Sequence, residues 1–271
     1  SLYPSMTCEQ VAAGGLDPRG FHRATGHPVA RHTYDQSVVV RAGGRGWLMM
    51  FSTEGFSGHC HPYRAEIRAV AALPLDTDSP RWAFGPALDM PWGYAGAAAF
   101  DPVSGMVVLV GGQRDGLWVY DPAAHRVVAA LRRVARPRNS SNLVYVPSRD
   151  RMVLVDRQSL QVRSFALDRD DWARTTETVV PAGGTPPPEL RNLALDTRNE
   201  VLGGVREGVF HALDLRRDRW LAEPMRVRAG AGARPGTVRH HAIDYDPIDN
   251  VFVFVDGRPG ELRTWAYRFR R

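Results

Sequence analysis

The chain contains no lysine: all 35 of its basic residues are arginine. Schiff-base chemistry and a P-loop lysine are excluded with it. An Arg-only composition is what codon bias in a GC-rich, bacterial genome produces. Cysteine is nearly absent as well, with only Cys8 and Cys60 in 271 residues. The two either pair, tying the N-terminal segment to a later loop, or remain thiols, and their count alone favours neither. No run approaches the ~18 apolar residues of a spanning helix, so no membrane span is expected. The opening SLYPSMTCEQVAAGG carries no charged-then-apolar leader. A trimmed, mature chain would have lost one, and a secreted or periplasmic location is expected over a cytoplasmic one. There is no Gly-x-Ser-x-Gly elbow. The glycine-bearing GGQRDG and AGAGARPG precede no helical pattern, so a phosphate cradle is not expected. No basic block interleaved with aromatics occurs, so nucleic acid is not an expected partner. The net charge of +6 leans toward small anionic partners, for which the planar guanidinium fork is suited.

What is present is a repeat. GAAAFDPVSGMVVLVGGQRDGLWVYDPAAHRV (96–127), SNLVYVPSRDRMVLVDRQSLQVRSFALDRDDW (141–172), RNLALDTRNEVLGGVREGVFHALDLRRDRW (191–220) and HAIDYDPIDNVFVFVDGRPGELRTWAYRF (241–269) are four copies. A stretched copy spans 37–51 and 66–82. Each reads as an apolar strand, a polar turn, a second apolar strand, a variable loop and a third strand. The turns DPVSG, VPSRD, DTRNE and DPIDN place Asp, Pro, Asn or Gly where a tight hairpin needs them. Val, Phe, Tyr and Leu fill the flanking strands. No stretch is periodic enough for a confident helix.

Short sheets repeated about every 50 residues are the mark of a propeller. The expected fold is therefore all-β, a single five-bladed β-propeller domain over 1–271, with a sixth, degenerate blade as the alternative. The blades fall near 31–90, 91–138, 139–188, 189–236 and 237–271. PAGGTPPPEL (181–190) and AGAGARPG (229–236) read as connections between blades. The C-terminal TWAYRFRR ends on a third strand. Residues 1–30 are expected to supply the missing outer strand, closing the ring with strands from both termini.

GGQRDGLWVYDPAAHRV and HHAIDYDPIDNVFVFV resemble repeats of the kelch or galactose-oxidase type, and RHTYDQSVVV (31–40) resembles the inner-strand opening of bacterial members of that group. The kelch double glycine appears at Gly111–Gly112 and Gly203–Gly204, and the closing tryptophan as Trp82, Trp172 and Trp220. The resemblance implies a propeller used for glycan binding, glycan lyase or epimerase chemistry, or protein interaction. The copper site of galactose oxidase has no counterpart in this sequence.

In a propeller, residues just before each inner strand crown one mouth of the central channel. Those positions hold Arg31, His32 and Tyr34; Trp92 and Tyr94; Asn139 and Asn142; Arg191 and Asn192; and Arg239, His240 and His241. This is the equipment of an acidic-sugar site. Arg31, Arg191 and Arg239 would pair a carboxylate bidentately. Trp92 would stack on a sugar face, and Asn142, Asn192 and His241 would complete the substrate-binding set. His32 or His240 would take a proton and Tyr34 or Tyr94 give one. The expected function is binding of an acidic, uronate-type carbohydrate, with lyase or hydrolase chemistry open. The alternatives are a non-catalytic module holding a protein partner and an enzyme acting on a small metabolite.

The loop STEGFSGHCHPYRAE (52–66) is the longest insertion within a repeat. No cofactor is expected, but His59 and His61 could hold a divalent metal from one extended segment. Cys60 would then face away from them. Asp168, Arg169, Asp170 and Asp171 read as a solvated turn before Trp172, and the repeat-ending tryptophans as packing between neighbouring sheets.

Overall fold

The computed structural model describes residues 35–52, 69–85, 96–111, 115–131, 141–156, 159–187, 190, 192–225, 235–236, 243–257 and 261–269, with scattered positions between 17 and 28. These residues form five antiparallel sheets and no α-helix, and the fold is a five-bladed β-propeller. The contacts divide it into two compact units, Ser1–Asn139 with Arg169–Ala173, and Ser140–Asp168 with Arg174–Arg271.

The first unit holds two sheets. One is β1 (Ser37–Ala42), β2 (Arg45–Met50), β3 (Ala71–Pro74) and β4 (Ala83–Phe84); the other is β5 (Ala97–Asp101), β6 (Met106–Val110), β7 (Leu117–Asp121) and β8 (Arg126–Leu131). Both run in sequence order, each strand paired with the next. Strand alternation puts Val38, Val40, Met49 and Ala72 on one face of the first sheet. That face packs against Ala98, Val107, Leu109, Trp118 and Tyr120 of the second. A parallel bridge between Asp35 and Ala97 ties the two openings together. Ahead of them Phe21 is buried against Ala69 and Ala71. The closing strand expected from residues 1–30 otherwise falls outside the described residues.

The second unit holds three sheets. They are β9 (Asn142–Val146), β10 (Arg151–Val155), β11 (Val162–Ala166) and β12 (Thr176–Val180); β13 (Ala194–Asp196), β14 (Val201–Arg206), β15 (Val209–Asp214) and β16 (Arg219–Pro224); and β17 (Ile243–Asp246), β18 (Val251–Asp256) and β19 (Arg263–Tyr267). The third has three described strands. Trp220 is buried with Val153, Val162 and Leu213, the inter-sheet packing expected of a repeat-ending tryptophan. Phe210, Phe252 and Phe254 form the core between the second and third of these sheets.

Five of the described hairpin turns, after Asp101, Asp121, Asp196, Asp214 and Asp246, share one construction. An Asp closes the strand and its carboxylate accepts the next backbone N–H groups. Asp196 takes those of Arg198 and Asn199 (2.9 and 2.8 Å), and Asp246 those of Ile248 and Asp249 (2.8 and 3.2 Å). Four residues after the Asp position, the chain turns left-handed. Gly105 holds that place in the β5–β6 turn, Glu200 and Asp218 hold it in the turns after β13 and β15, and His125, Asp150 and Asn250 hold it in three others, at φ 52°, 47° and 54°. Such a φ strains a side-chain-bearing residue. Each of the three is held by a tyrosine five residues earlier: Tyr120 with His125 (3.1 Å), Tyr145 with Asp150 (2.9 Å) and Tyr245 with Asn250 (2.8 Å). Burial, then the hydrogen bond and charge of Asp196, push the Tyr245 hydroxyl up to about 12, so it stays a donor at any ordinary pH. Tyr245→Phe is expected to lower stability by about 1 kcal/mol, the net value of one such bond. Urea unfolding, with an unchanged slope, would measure it.

One sequence expectation is corrected. The 168–171 segment is not simply a solvated turn. Arg169 extends a guanidinium only 18% exposed onto the fully buried carboxylate of Asp101, with Nε–Oδ2 at 2.8 Å and Nη2–Oδ1 at 3.1 Å. The spacing of 68 residues hid this pair from any local reading.

Candidate functional site

Two of the predicted crown residues are described, and both are in the second unit. Asn142 opens β9 and Asn192 stands two residues before β13. Both are carboxamides on otherwise apolar strand ends, and both are buried, at 4% and 3% exposure. Asn142 Nδ2 donates to the carbonyl of Leu193 at 3.4 Å, so its side chain reaches the residue next to Asn192. Asn192 Nδ2 has no hydrogen-bond partner among the described residues. An unsatisfied buried donor costs about 1–3 kcal/mol, and native structures rarely leave one without a protein group, water or ligand oxygen.

The surroundings are polar in a way the sequence reading did not single out. Ser141, fully buried, donates from Oγ toward Asp156 Oδ2 at 3.5 Å. Asp156 follows β10, and its Oδ1 accepts from the backbone N–H and hydroxyl of Ser159, both at 2.8 Å. Gly204 of β14 lies behind Asn192: a Cβ there would stand 2.5 Å from the Asn192 carbonyl oxygen. The close approach requires glycine and fixes the backbone that carries the carboxamide.

The first unit repeats the theme at the corresponding strand ends. Gln36 precedes β1 and Ser52 follows β2, both fully buried, with the Phe51 N–H donating to the Gln36 carbonyl at 2.9 Å. Ser52 Oγ has no partner among the described residues. Polar letters in DQSVVV, FST, SSN and VDR, set where apolar strands begin or end, were the available signal for these positions.

Arg31, His32, Tyr34, Trp92, Tyr94, Asn139, Arg191, Arg239, His240 and His241 lie outside the described residues, as do His59, Cys60, His61 and Cys8. Among the described residues no cluster of His, Cys, Asp and Glu could hold a metal ion, and no helix is long and apolar enough to cross a membrane.

No protein-family model and no curated protein matches this chain. Solved structures share its fold. A Bacteroides thetaiotaomicron VPI-5482 protein of unknown function aligns with a TM-score of 0.51 at 10% identity, over 85% of this chain and 58% of its own length. A functionally unknown protein from Desulfotomaculum acetoxidans DSM 771 aligns with a TM-score of 0.50 at 11% identity, over 84% and 68%. The chain thus spans less than two thirds of the first and about two thirds of the second. At such identity the likeness extends to the fold alone.

Proposed function

We propose that the protein binds an acidic, uronate-type carbohydrate at the openings of its first strands. The observation that carries this reading is the Asn192 carboxamide, 3% exposed, whose Nδ2 has no hydrogen-bond partner among the described residues beside the Asn142–Leu193 contact. A pair of buried carboxamides suits a ligand rich in hydroxyl groups, which both donate and accept. The all-arginine charge surplus and the kelch-type repeats support an anionic glycan. Arg191 precedes Asn192 directly in sequence and is assigned the ligand carboxylate, with Arg31 and Arg239 as its counterparts in other blades.

If the bound uronate is cleaved, the chemistry proposed is β-elimination. An arginine neutralises the carboxylate and acidifies the adjacent C–H. His32 or His240 removes that proton, a carbon–carbon double bond forms, the glycosidic C–O bond breaks, and Tyr34 or Tyr94 protonates the leaving oxygen.

Calorimetric titration with oligogalacturonides tests the binding. Saturable binding is expected, weakened at least tenfold in Asn192→Ala. Because the side chain makes no hydrogen bond to a described residue, that variant is expected to keep its thermal midpoint. Absence of uronate binding, or binding unchanged in both Asn192→Ala and Asn142→Ala, overturns the reading. Release of unsaturated product, abolished in His32→Ala or His240→Ala with binding retained, would separate catalysis from binding.

A further inference from the structure

The first unit contains a cavity of about 230 Å³, and none of the residues that line it is one of the predicted crown positions. It lies between the face of the first sheet and the turn joining β7 to β8. The register sets Met49, Ala72 and Ala83 side by side across β2, β3 and β4, with Trp47 two residues along on the same face. Two alanines stand where larger side chains would meet the opposing turn, so space is left against Pro122, Ala123 and His125. Buried Met49, Ala72 and Pro122 form the floor, and exposed Gly43, Ala83 and Ala123 the mouth.

Apart from one side chain, the residues that line it are apolar in type. The Trp47 indole N–H is committed to the Ala42 carbonyl at 3.3 Å, so Trp47 offers its ring. His125 is the exception, and it is held firmly. Its Nδ1 is 3.1 Å from the Tyr120 hydroxyl, and Gly85 lies so close that a Cβ there would be 3.1 Å from the same nitrogen. The tyrosine strut accounts for Nδ1. The second ring nitrogen, Nε2, has no hydrogen-bond partner among the described residues.

We infer that this cavity is a binding site for a planar aromatic heterocycle of two fused rings, hydrogen-bonded through its ring nitrogen to His125. An apolar cavity of about 150 Å³ accepts one benzene ring. The volume here is about one and a half times that, the step from one ring to two fused rings. The Trp47 ring and the Met49 thioether favour an aromatic over an aliphatic guest. A single imidazole nitrogen in an apolar wall selects a ligand with one polar edge atom. The site is independent of the carbohydrate reading.

Indole and quinoline are the probes, one a ring-nitrogen donor and the other an acceptor, titrated calorimetrically into the full chain. The tautomer of His125 selects between them. Saturable binding of at least one is expected, reduced at least tenfold in Ala83→Leu. Ala83 is exposed at the mouth, so leucine there covers the cavity without disturbing the core, and circular dichroism confirms the fold. His125→Asn keeps a residue tolerant of the left-handed turn but lacks Nε2; it is expected to weaken the preferred probe about three- to tenfold, the value of one hydrogen bond. No binding of either probe, or equal binding in Ala83→Leu, overturns the site. Equal binding in His125→Asn overturns the role given to the imidazole.

Discussion

Asp101→Ala is expected to cost about 3 kcal/mol of stability, the lower end of the range for breaking a buried ion pair, since Arg169 keeps some access to water. The aspartate is fully buried and serves four donors: Arg169 Nε and Nη2, Ser104 Oγ at 2.7 Å and the Val103 N–H at 3.1 Å. Alanine removes that acceptor from all four, including a guanidinium that is only 18% exposed. For a chain of this size the loss corresponds to a fall in Tm of about 6–12 °C. Asp101→Asn preserves the shape and removes the charge, so about half the loss is expected to remain, because charge-assisted bonds are about twice as strong as neutral ones. A loss below about 1 kcal/mol in Asp101→Ala would show that the pair contributes only as an exposed salt bridge does.

The same pair has a pH signature. Burial raises the Asp101 pKa, but the hydrogen bonds from Arg169, Ser104 and Val103, with the Arg169 charge, outweigh it and hold the carboxyl below its ordinary 3.8. A folded-state value below the unfolded one means the carboxylate binds its proton less readily when folded. Its contribution is therefore complete above the unfolded value and is lost as pH falls through the folded one. The gap between wild type and Asp101→Ala is expected to be constant from neutral pH down to about 5 and to close below 3.8. Glu200, held low against burial by Ser148 and Arg216, withdraws its own contribution below its ordinary 4.5. Denaturant titrations of wild type and Asp101→Ala across pH 3 to 7 separate the two.

Legibility in the sequence followed the range of the interaction. The hairpins were legible because each is local: an Asp, a short polar turn and two runs of Val, Leu, Phe and Tyr lie within about fifteen residues. The fourth strands were not described by the repeat reading. No residue of β8 or β12 is fully buried: every position is exposed or half-buried, so neither strand carries the buried-core pattern of the inner ones. The Tyr-to-turn struts were visible as a fixed five-residue spacing in YDPAAH, YVPSRD and YDPIDN, a regularity that hydropathy alone passes over. Asp101 with Arg169 could not be seen, because nothing local distinguishes that arginine from its neighbours. The same holds for the site. Asn142 and Asn192 were legible as polar residues at strand openings, whereas the lack of a partner for Asn192 Nδ2 among the described residues depends on what packs around it. The cavity beside His125 depends on Ala72 and Ala83 facing a turn forty to fifty residues away.

Gly203→Ala is expected to be among the most damaging single-methyl additions in the second unit. The double glycine Gly203–Gly204 lies in β14, the second strand of its sheet, and both residues are buried. A Cβ at Gly203 would stand 2.2 Å from Cζ of Phe210, far inside van der Waals contact. The ring has little room to retreat. It is fully buried, 4.8 Å from the rings of both Phe252 and Tyr267 and 5.2 Å from that of Phe269. Nor can the strand shift freely, since Gly203 is paired with Ala194 on one side and Ala212 on the other. Overpacking of this kind costs about 1–3 kcal/mol, and the surrounding aromatic cluster places Gly203→Ala at the upper end. If the collision with Phe210 is the cause, a smaller partner should relieve it. Phe210→Leu alone opens a cavity and destabilises, but the double variant is expected to be more stable than the sum of the two losses predicts, by about 1 kcal/mol or more. A strictly additive double variant would place the damage in the backbone of β14 and remove the ring as the reason for glycine at this position.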